Sequence, residues 1–323
     1  MKKKIGIPKA LLYYNYYTIY ETFFSEIGAE IVLSNPNNIT LEKGSKLVPD
    51  EVCLPVKNYF GHIIDLKEKN TDFIFLPRFM RVEKYTTFCP KIIGLPDLVK
   101  NIVPGLPPLI EIDINFSKKL KLFNDINNIG GLFNSGLINN YKAWKMALKN
   151  YSEFLKGNIR KIENRDKLNE QSKSRKNSPN AQLNIAVIGH PYNIYDQNLN
   201  LNLMDKLKEK DVAVYTPDMV PKETILREAD ELPKKIFWTL SRDIVGASKY
   251  FIKHPDVDGI INIASFACGP DSIIGELVSF LVREYGKKPY LLLVLDEHTG
   301  SAGLETRIEA FIEMIRMIKD RNK

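Results

Sequence analysis

Gly259-Ile260-Ile261-Asn262-Ile263-Ala264 leads through Cys268-Gly269-Pro270 into a helical pattern ending at Tyr285, and then to Pro289-Tyr290-Leu291-Leu292-Leu293-Val294-Leu295. Two short apolar runs separated by a helix read as strand–helix–strand, the unit of a parallel sheet. Working outward, the same alternation fills the second half. Strands are expected at Asn184–Ile188 and Val212–Tyr215, and helices at Leu199–Lys210, Phe237–Ile252 and Gly303–Lys319. The first half has the same pattern. Lys4–Ile7, Ile31–Leu33, Asp72–Leu76 and Leu109–Ile114 read as strands, while Leu11–Ile27, Pro55–Lys69 and Tyr141–Leu155 read as helices. The fold class is therefore α/β, with two Rossmann-like (flavodoxin-like) parallel-sheet lobes and a cleft between them.

Apolar periodicity fades between the halves. Ser172, Ser174, Ser178 and Pro179 sit among charges, so the expected division is an N-terminal lobe over 1–157, a linker over 158–182 and a C-terminal lobe over 183–323. The net charge of +7 concentrates here. Eight basic residues lie between Lys156 and Lys176 against the acids Glu163, Asp166 and Glu170, which is +5 of the total. A polar basic run of this kind reads as solvated chain, so no nucleic-acid partner is expected. No stretch approaches the roughly 18 apolar residues of a membrane span. Met1-Lys2-Lys3-Lys4 resembles a signal-peptide start, but Lys9 and Asn15 interrupt the apolar stretch after it. A cytoplasmic protein with no membrane partner is expected.

The chain has three cysteines, and each stands just before a proline: Cys53-Leu54-Pro55, Cys89-Pro90 and Cys268-Gly269-Pro270. Proline at the start of a helix wastes no N–H. Cys53 and Cys268 are thereby placed at helix N-termini, where the positive end of the dipole favours an anion and so the metal-binding thiolate. Cys89 falls in the loop region after the strand Asp72–Leu76. Three readings compete with a shared metal centre. Free thiols are commonly just buried. Zinc sites favour local pairs such as C-x-x-C, which these spacings lack. Disulfides are disfavoured by compartment and odd count.

Glu297 and His298 follow the strand Pro289–Leu295 at the edge expected for Cys268, and are the candidate catalytic residues; starting the last helix is their alternative role. Lys57 and Lys91, a few residues after cysteines, could offset the charge of a bound centre but read as solvated; His190 follows the strand Asn184–Ile188 towards the expected cleft but reads as a turn residue. The tyrosines Tyr13, Tyr14, Tyr16, Tyr17 and Tyr20 read as packing against a sheet. Neither G-x-x-x-x-G-K-[ST] nor G-x-G-x-x-G occurs, so neither ATP nor a dinucleotide is signalled.

Several stretches together resemble the 2-hydroxyacyl-CoA dehydratase and benzoyl-CoA reductase superfamily, above all its acyl-CoA dehydratase activase-related branch. They are Ile5-Gly6-Ile7-Pro8-Lys9-Ala10-Leu11, Asp50 to Lys57, Cys89-Pro90-Lys91 with Gly94-Leu95-Pro96-Asp97, Cys268-Gly269-Pro270, and Asp296-Glu297-His298-Thr299-Gly300 through Phe311. The resemblance implies that Cys53, Cys89 and Cys268 hold a 4Fe–4S cluster, bridged in one relative to a second cluster across a dimer. It implies low-potential one-electron chemistry linked to acyl-CoA metabolism, as a radical-type dehydratase or reductase-like component or as an electron carrier. An ATP-hydrolysing activase would then be the electron donor, with acyl-CoA and a homo- or heterodimer partner alongside. The alternatives are a metal-free two-lobed binding or scaffold protein, and a cluster carrier without its own substrate.

Overall fold

The computed structural model describes residues 2–35, 38–115, 119–172, 183–286 and 288–321. The chain divides into two compact units, one comprising Met1–Phe154 with Phe237–Thr239, the other Leu155–Ile236 with Leu240–Lys323.

The first unit runs β1 (Lys4–Ile7), α1 (Tyr13–Glu26), β2 (Glu30–Leu33), α2 (Asn38–Ser45), α3 (Leu54–Glu68), β3 (Phe73–Arg81), α4 (Pro90–Ile93), α5 (Leu95–Ile102), β4 (Leu109–Asn115), α6 (Lys119–Leu132) and the part of α7 (Leu137–Ser172) up to Phe154. Its sheet has the order β2-β1-β3-β4 and every pairing is parallel. Ile5, Ile7, Ile74 and Leu76 from the two central strands are essentially fully buried. The tyrosine-rich face of α1 packs on this sheet as expected. Tyr16 stacks on Phe79 at 5.0 Å between ring centroids, and Tyr20 meets Phe75 edge-on at 5.1 Å.

The second unit runs β5 (Leu183–Gly189), α8 (Pro191–Tyr195), α9 (Leu203–Glu209), β6 (Val212–Tyr215), α10 (Lys222–Asp230), α11 (Thr239–Lys253), β7 (Gly259–Ser265), α12 (Gly269–Tyr285), β8 (Tyr290–Leu295) and α13 (Ser301–Arg321). The order is β6-β5-β7-β8, again all parallel. Its core gathers Ala186, Ile188, Tyr215, Val245, Phe251, Ile260 and Val278. Two flanked parallel sheets of four strands are the two Rossmann-like lobes the alternation of elements predicts.

In each unit the chain steps from the first strand to a neighbour on one side, then crosses to the other side of the first strand. The order reverses between β1 and β3 in one unit and between β5 and β7 in the other. Open α/β sheets bind their ligands beyond the carboxyl ends of the strands at such a reversal. The loops that matter are therefore those after β1, β3, β5 and β7.

The expected linker over 158–182 begins inside a helix, because α7 continues to Ser172. No glycine or proline lies between Asn158 and Ser172, so nothing local terminates the helix. Residues 173–182 of that expected linker lie outside the described residues.

Candidate functional site

All three cysteines stand at the residue preceding a helix, and all three are thiols rather than disulfides. Cys53 precedes α3 with φ −63° and ψ 145°, and Cys268 precedes α12 with φ −89° and ψ 106°, each with proline in the first two helical positions. Cys89 is not in a plain loop: with φ −65° and ψ 152° it is the N-cap of α4, and Pro90 opens the helix. None of the three side chains caps its helix by a hydrogen bond. Cys53 and Cys268 are buried and Cys89 is half-buried. A sulfur at the positive end of a helix is in a setting that favours its thiolate form.

In the first unit the two cysteine segments are tied to each other. Lys91 Nζ, two residues after Cys89, donates to the carbonyl of Glu51, two residues before Cys53, at 3.3 Å. Arg78 on β3 anchors the far side of the Cys89 segment. It donates to Ile93 O at 2.9 Å and grips Asp97 with both terminal nitrogens at 2.7 and 2.8 Å. This bidentate contact, joined by the Lys100 ammonium, holds the Asp97 carboxyl down to about 2. Two residues before Cys89, the Thr87 N–H donates to Phe237 O at 2.9 Å, and the Thr239 N–H donates to Thr87 O at 2.9 Å.

Lys57, read as solvated, is instead only 2% exposed, because the first three turns of α3 are buried on every side. The same helix buries His62 completely. The Ser34 hydroxyl accepts the Lys9 N–H at 2.7 Å and shares a hydrogen bond with His62 Nδ1 at 2.7 Å. Nε2 of His62 is buried without a partner. Burial pushes this imidazole down to about 4, the nearby Lys9 and Lys69 adding to the effect and Asp65 opposing it.

In the second unit Cys268 lies after β7, where Phe266 N–H donates to Leu295 O at 2.8 Å, so the loop after β8 shares its sheet edge. Asp296 organises that loop by accepting the Thr299 hydroxyl at 2.7 Å and the His298 N–H at 3.0 Å. The Thr299 hydroxyl foremost, then the His298 N–H, hold the Asp296 carboxyl below its ordinary range. Within this turn Glu297 is half-buried and His298 exposed.

Two further residues stand out here: His190, for which the sequence favoured a turn role, and Asp271, which it did not single out. His190, read as a turn residue, is 3% exposed, and its Nε2 lies 3.0 Å from Asp271 Oδ1. A ring nitrogen of His190, Cys268 Sγ and a carboxylate oxygen of Asp271 lie within 4.8 Å of one another. The only sequence signal was that His190-Pro191 repeats the residue–proline context of the cysteines at the end of a strand.

Among the described residues no helix is long and apolar enough to cross a membrane. No curated protein matches the chain. A family model does match: that of the CoA enzyme activase uncharacterised domain, over residues 4–220. The match takes in Cys53, Cys89 and His190 and stops ahead of Cys268. It spans more than half of the 323 residues, and the chain belongs to this CoA enzyme activase domain family.

Proposed function

We propose that the chain is an iron–sulfur redox protein in which Cys53, Cys89 and Cys268 ligate a 4Fe–4S cluster. The observation that carries the reading is that every cysteine of the chain is an N-cap with proline in the first helical turn. A single such thiol would be unremarked packing. Three of three select the one backbone setting that stabilises thiolate at each sulfur. When bound, the cluster supplies one-electron transfer at low potential. The chain's own residues would hold its sulfurs, bury them, and through Lys91 keep the Cys53 and Cys89 segments in register.

The partners that fit this reading are an ATP-hydrolysing activase as electron donor and an acyl-CoA as the metabolite served, in a homo- or heterodimer. Membership of a CoA enzyme activase domain family supports that setting. Three thiolates leave one iron of a four-iron cube to a non-cysteine ligand, and a second cluster bridged across a dimer would supply one. Glu297 and His298 remain the side chains proposed to act on protons at the edge shared with Cys268.

The test is metal and sulfide content after anaerobic reconstitution. The expected product is brown, with a shoulder near ~400 nm and about four irons per chain. Cys53→Ser, Cys89→Ser and Cys268→Ser should each lower iron sharply while far-UV circular dichroism is unchanged. A colourless, iron-free wild-type chain refutes the reading, and full iron in any one variant removes that cysteine from the site.

A further inference from the structure

The carboxyl edges of the two sheets differ in chemistry. In the first unit the crevice at the order reversal is filled by apolar and aromatic side chains, among them Ile7, Leu11, Tyr59, Phe79 and Ile92, around a cavity of about 30 Å³. That is room for a single water. The corresponding place in the second unit is polar and buried. The loop after β5 opens with His190, the loop after β7 ends at Cys268, and the first turn of α12 carries Asp271.

The surroundings hold these groups in place. Asp271 Oδ2 accepts the Ser265 N–H at 2.9 Å and Asn193 Nδ2 at 3.4 Å. Asn193 is fixed in turn, since its Oδ1 accepts the Ser265 hydroxyl at 2.8 Å. Asp271 Oδ1 is left facing His190 Nε2 at 3.0 Å. Nδ1 of His190 is buried and has no hydrogen-bond partner. The ring nitrogens point in different directions, so an ion shared with Asp271 would take Nε2, the nitrogen that faces the carboxylate, and Nδ1 lies outside that set.

Imidazole, thiolate and carboxylate are the ligand types of the later first-row divalent ions, and the sulfur and nitrogen argue against magnesium and calcium. Around a tetrahedral ion with bonds of about 2.0–2.3 Å, neighbouring ligand atoms stand roughly 3.3–3.8 Å apart. The three groups lie within 4.8 Å of one another, so contraction by about 1 Å through side-chain rotation closes the set. Ligands on two corners of an iron–sulfur cube would instead splay to roughly 6 Å, so His190 does not suit the iron next to that of Cys268.

We propose that His190, Cys268 and Asp271 form a site for one divalent transition-metal ion lying wholly within the second unit. Three protein ligands leave a fourth position open, the pattern of catalytic rather than structural zinc sites. The site does not rest on the cluster reading. It draws on the same Cys268 thiolate, so the single ion and the cluster exclude each other, and the ion belongs to the cluster-free chain.

Cobalt(II) titration of the full-length chain, stripped of iron by chelator and kept reduced, tests this. Wild type should bind one equivalent, with a thiolate-to-cobalt charge-transfer band in the near ultraviolet and visible bands of tetrahedral intensity. The double variant Cys53→Ser/Cys89→Ser, which cannot hold the cluster, should bind as wild type does. Cys268→Ser should abolish the charge-transfer band. His190→Ala should weaken binding at least 100-fold and Asp271→Asn by about 10- to 100-fold. His190→Gln, which preserves volume, decides the matter if His190→Ala fails to fold by circular dichroism. Loss of the band in the double variant, or wild-type affinity in both His190 variants, overturns the proposal. A chain that takes cobalt in this way but never assembles iron and sulfide fails the cluster reading alone.

Discussion

Acid should loosen the first unit before carboxylates titrate, and His62 is the reason. Its imidazole is fully buried in α3, and burial lowers it from 6.5 to about 4. The unfolded chain therefore binds this proton more readily than the folded one, so protonation favours unfolding. The stabilisation is complete above pH ~6.5 and is lost as pH falls towards 4. From the two values the loss between pH 7 and pH 5 is about 2 kcal/mol, and between pH 7 and pH 4 about 3 kcal/mol. Both tryptophans of the chain, Trp144 and Trp238, group with the first unit, so tryptophan fluorescence during urea unfolding reports on that unit. Wild type should lose about 2 kcal/mol between pH 7 and pH 5, whereas His62→Gln, whose amide offers Ser34 both a donor and an acceptor, should lose far less. Because Cys53 is the N-cap of the helix that carries His62, the Cys53 thiol should also react faster with a bulky thiol reagent at pH 5, after correction for thiolate fraction. If wild type and His62→Gln lose the same stability over that interval, the buried-imidazole argument is wrong.

Two further predictions concern packing and capping. A methyl on Gly61 would stand 1.8 Å from Thr40 O, and one on Gly246 2.1 Å from Ile225 O, both backbone atoms that cannot swing aside. Gly61→Ala and Gly246→Ala should each destabilise their unit by about 3 kcal/mol, overpacking outweighing the ~1 kcal/mol helix preference for alanine. Gly157→Ala, in open space within α7, should be neutral or stabilising in the same thermal melt. Lys288 Nζ donates to the carbonyls of Phe251, His254 and Val257 at the end of α11, while its burial pushes the ammonium down to about 8. Lys288→Met should cost about 2 kcal/mol in chemical denaturation of the second unit, by leaving those carbonyls unmatched.

Where the sequence was legible, the reason is local. Val212–Tyr215 is a strand as read, and Gly259–Ser265 and Tyr290–Leu295 differ from expectation by one residue each, because apolar runs bounded by turns define buried strands. The N-caps at Cys53 and Cys268 were legible from proline two residues on. Cys89 was not, since the four residues of α4 are too few to display a helical period. α2 and α10 escaped notice because both are polar; a carbonyl of each lies close against a glycine of the next helix, and ion pairs Lys222–Asp243, Arg242–Asp230 and Lys253–Glu228 join α10 to α11. No periodicity records such a contact. Lys57 was misread although its helix offered a clue: Leu54 to Ile63 has apolar residues all round, the mark of a helix without a solvent face. His190 and Asp271 were beyond reach, since they meet only once the strand order brings the loops after β5 and β7 together.

The two units prove to be one scheme used twice, and comparing them separates scaffold from site. α3 and α11 each have 15 residues, and in each the eighth is the glycine that accepts a carbonyl of the preceding helix. The spacing from that carbonyl to the glycine is the same, 61 − 40 and 246 − 225, both 21. The glycines are thus scaffold, required wherever two helices of one crossover approach this closely. Cys89 and Cys268 also correspond, each an N-cap at the helix after the third strand. Cys53 has no thiol counterpart. Eight residues before Gly61 stands Cys53; eight residues before Gly246 stands Trp238, whose segment groups with the first unit, pairs with Thr87 and braces the approach to Cys89. The shared scaffold therefore does not dictate the ligands. It supplies a helix N-terminus at each position, and the side chain placed there decides between thiolate chemistry and packing. By the same logic the buried His190–Asp271 pair is no part of the shared scaffold, because the first unit closes the equivalent crevice with apolar and aromatic side chains.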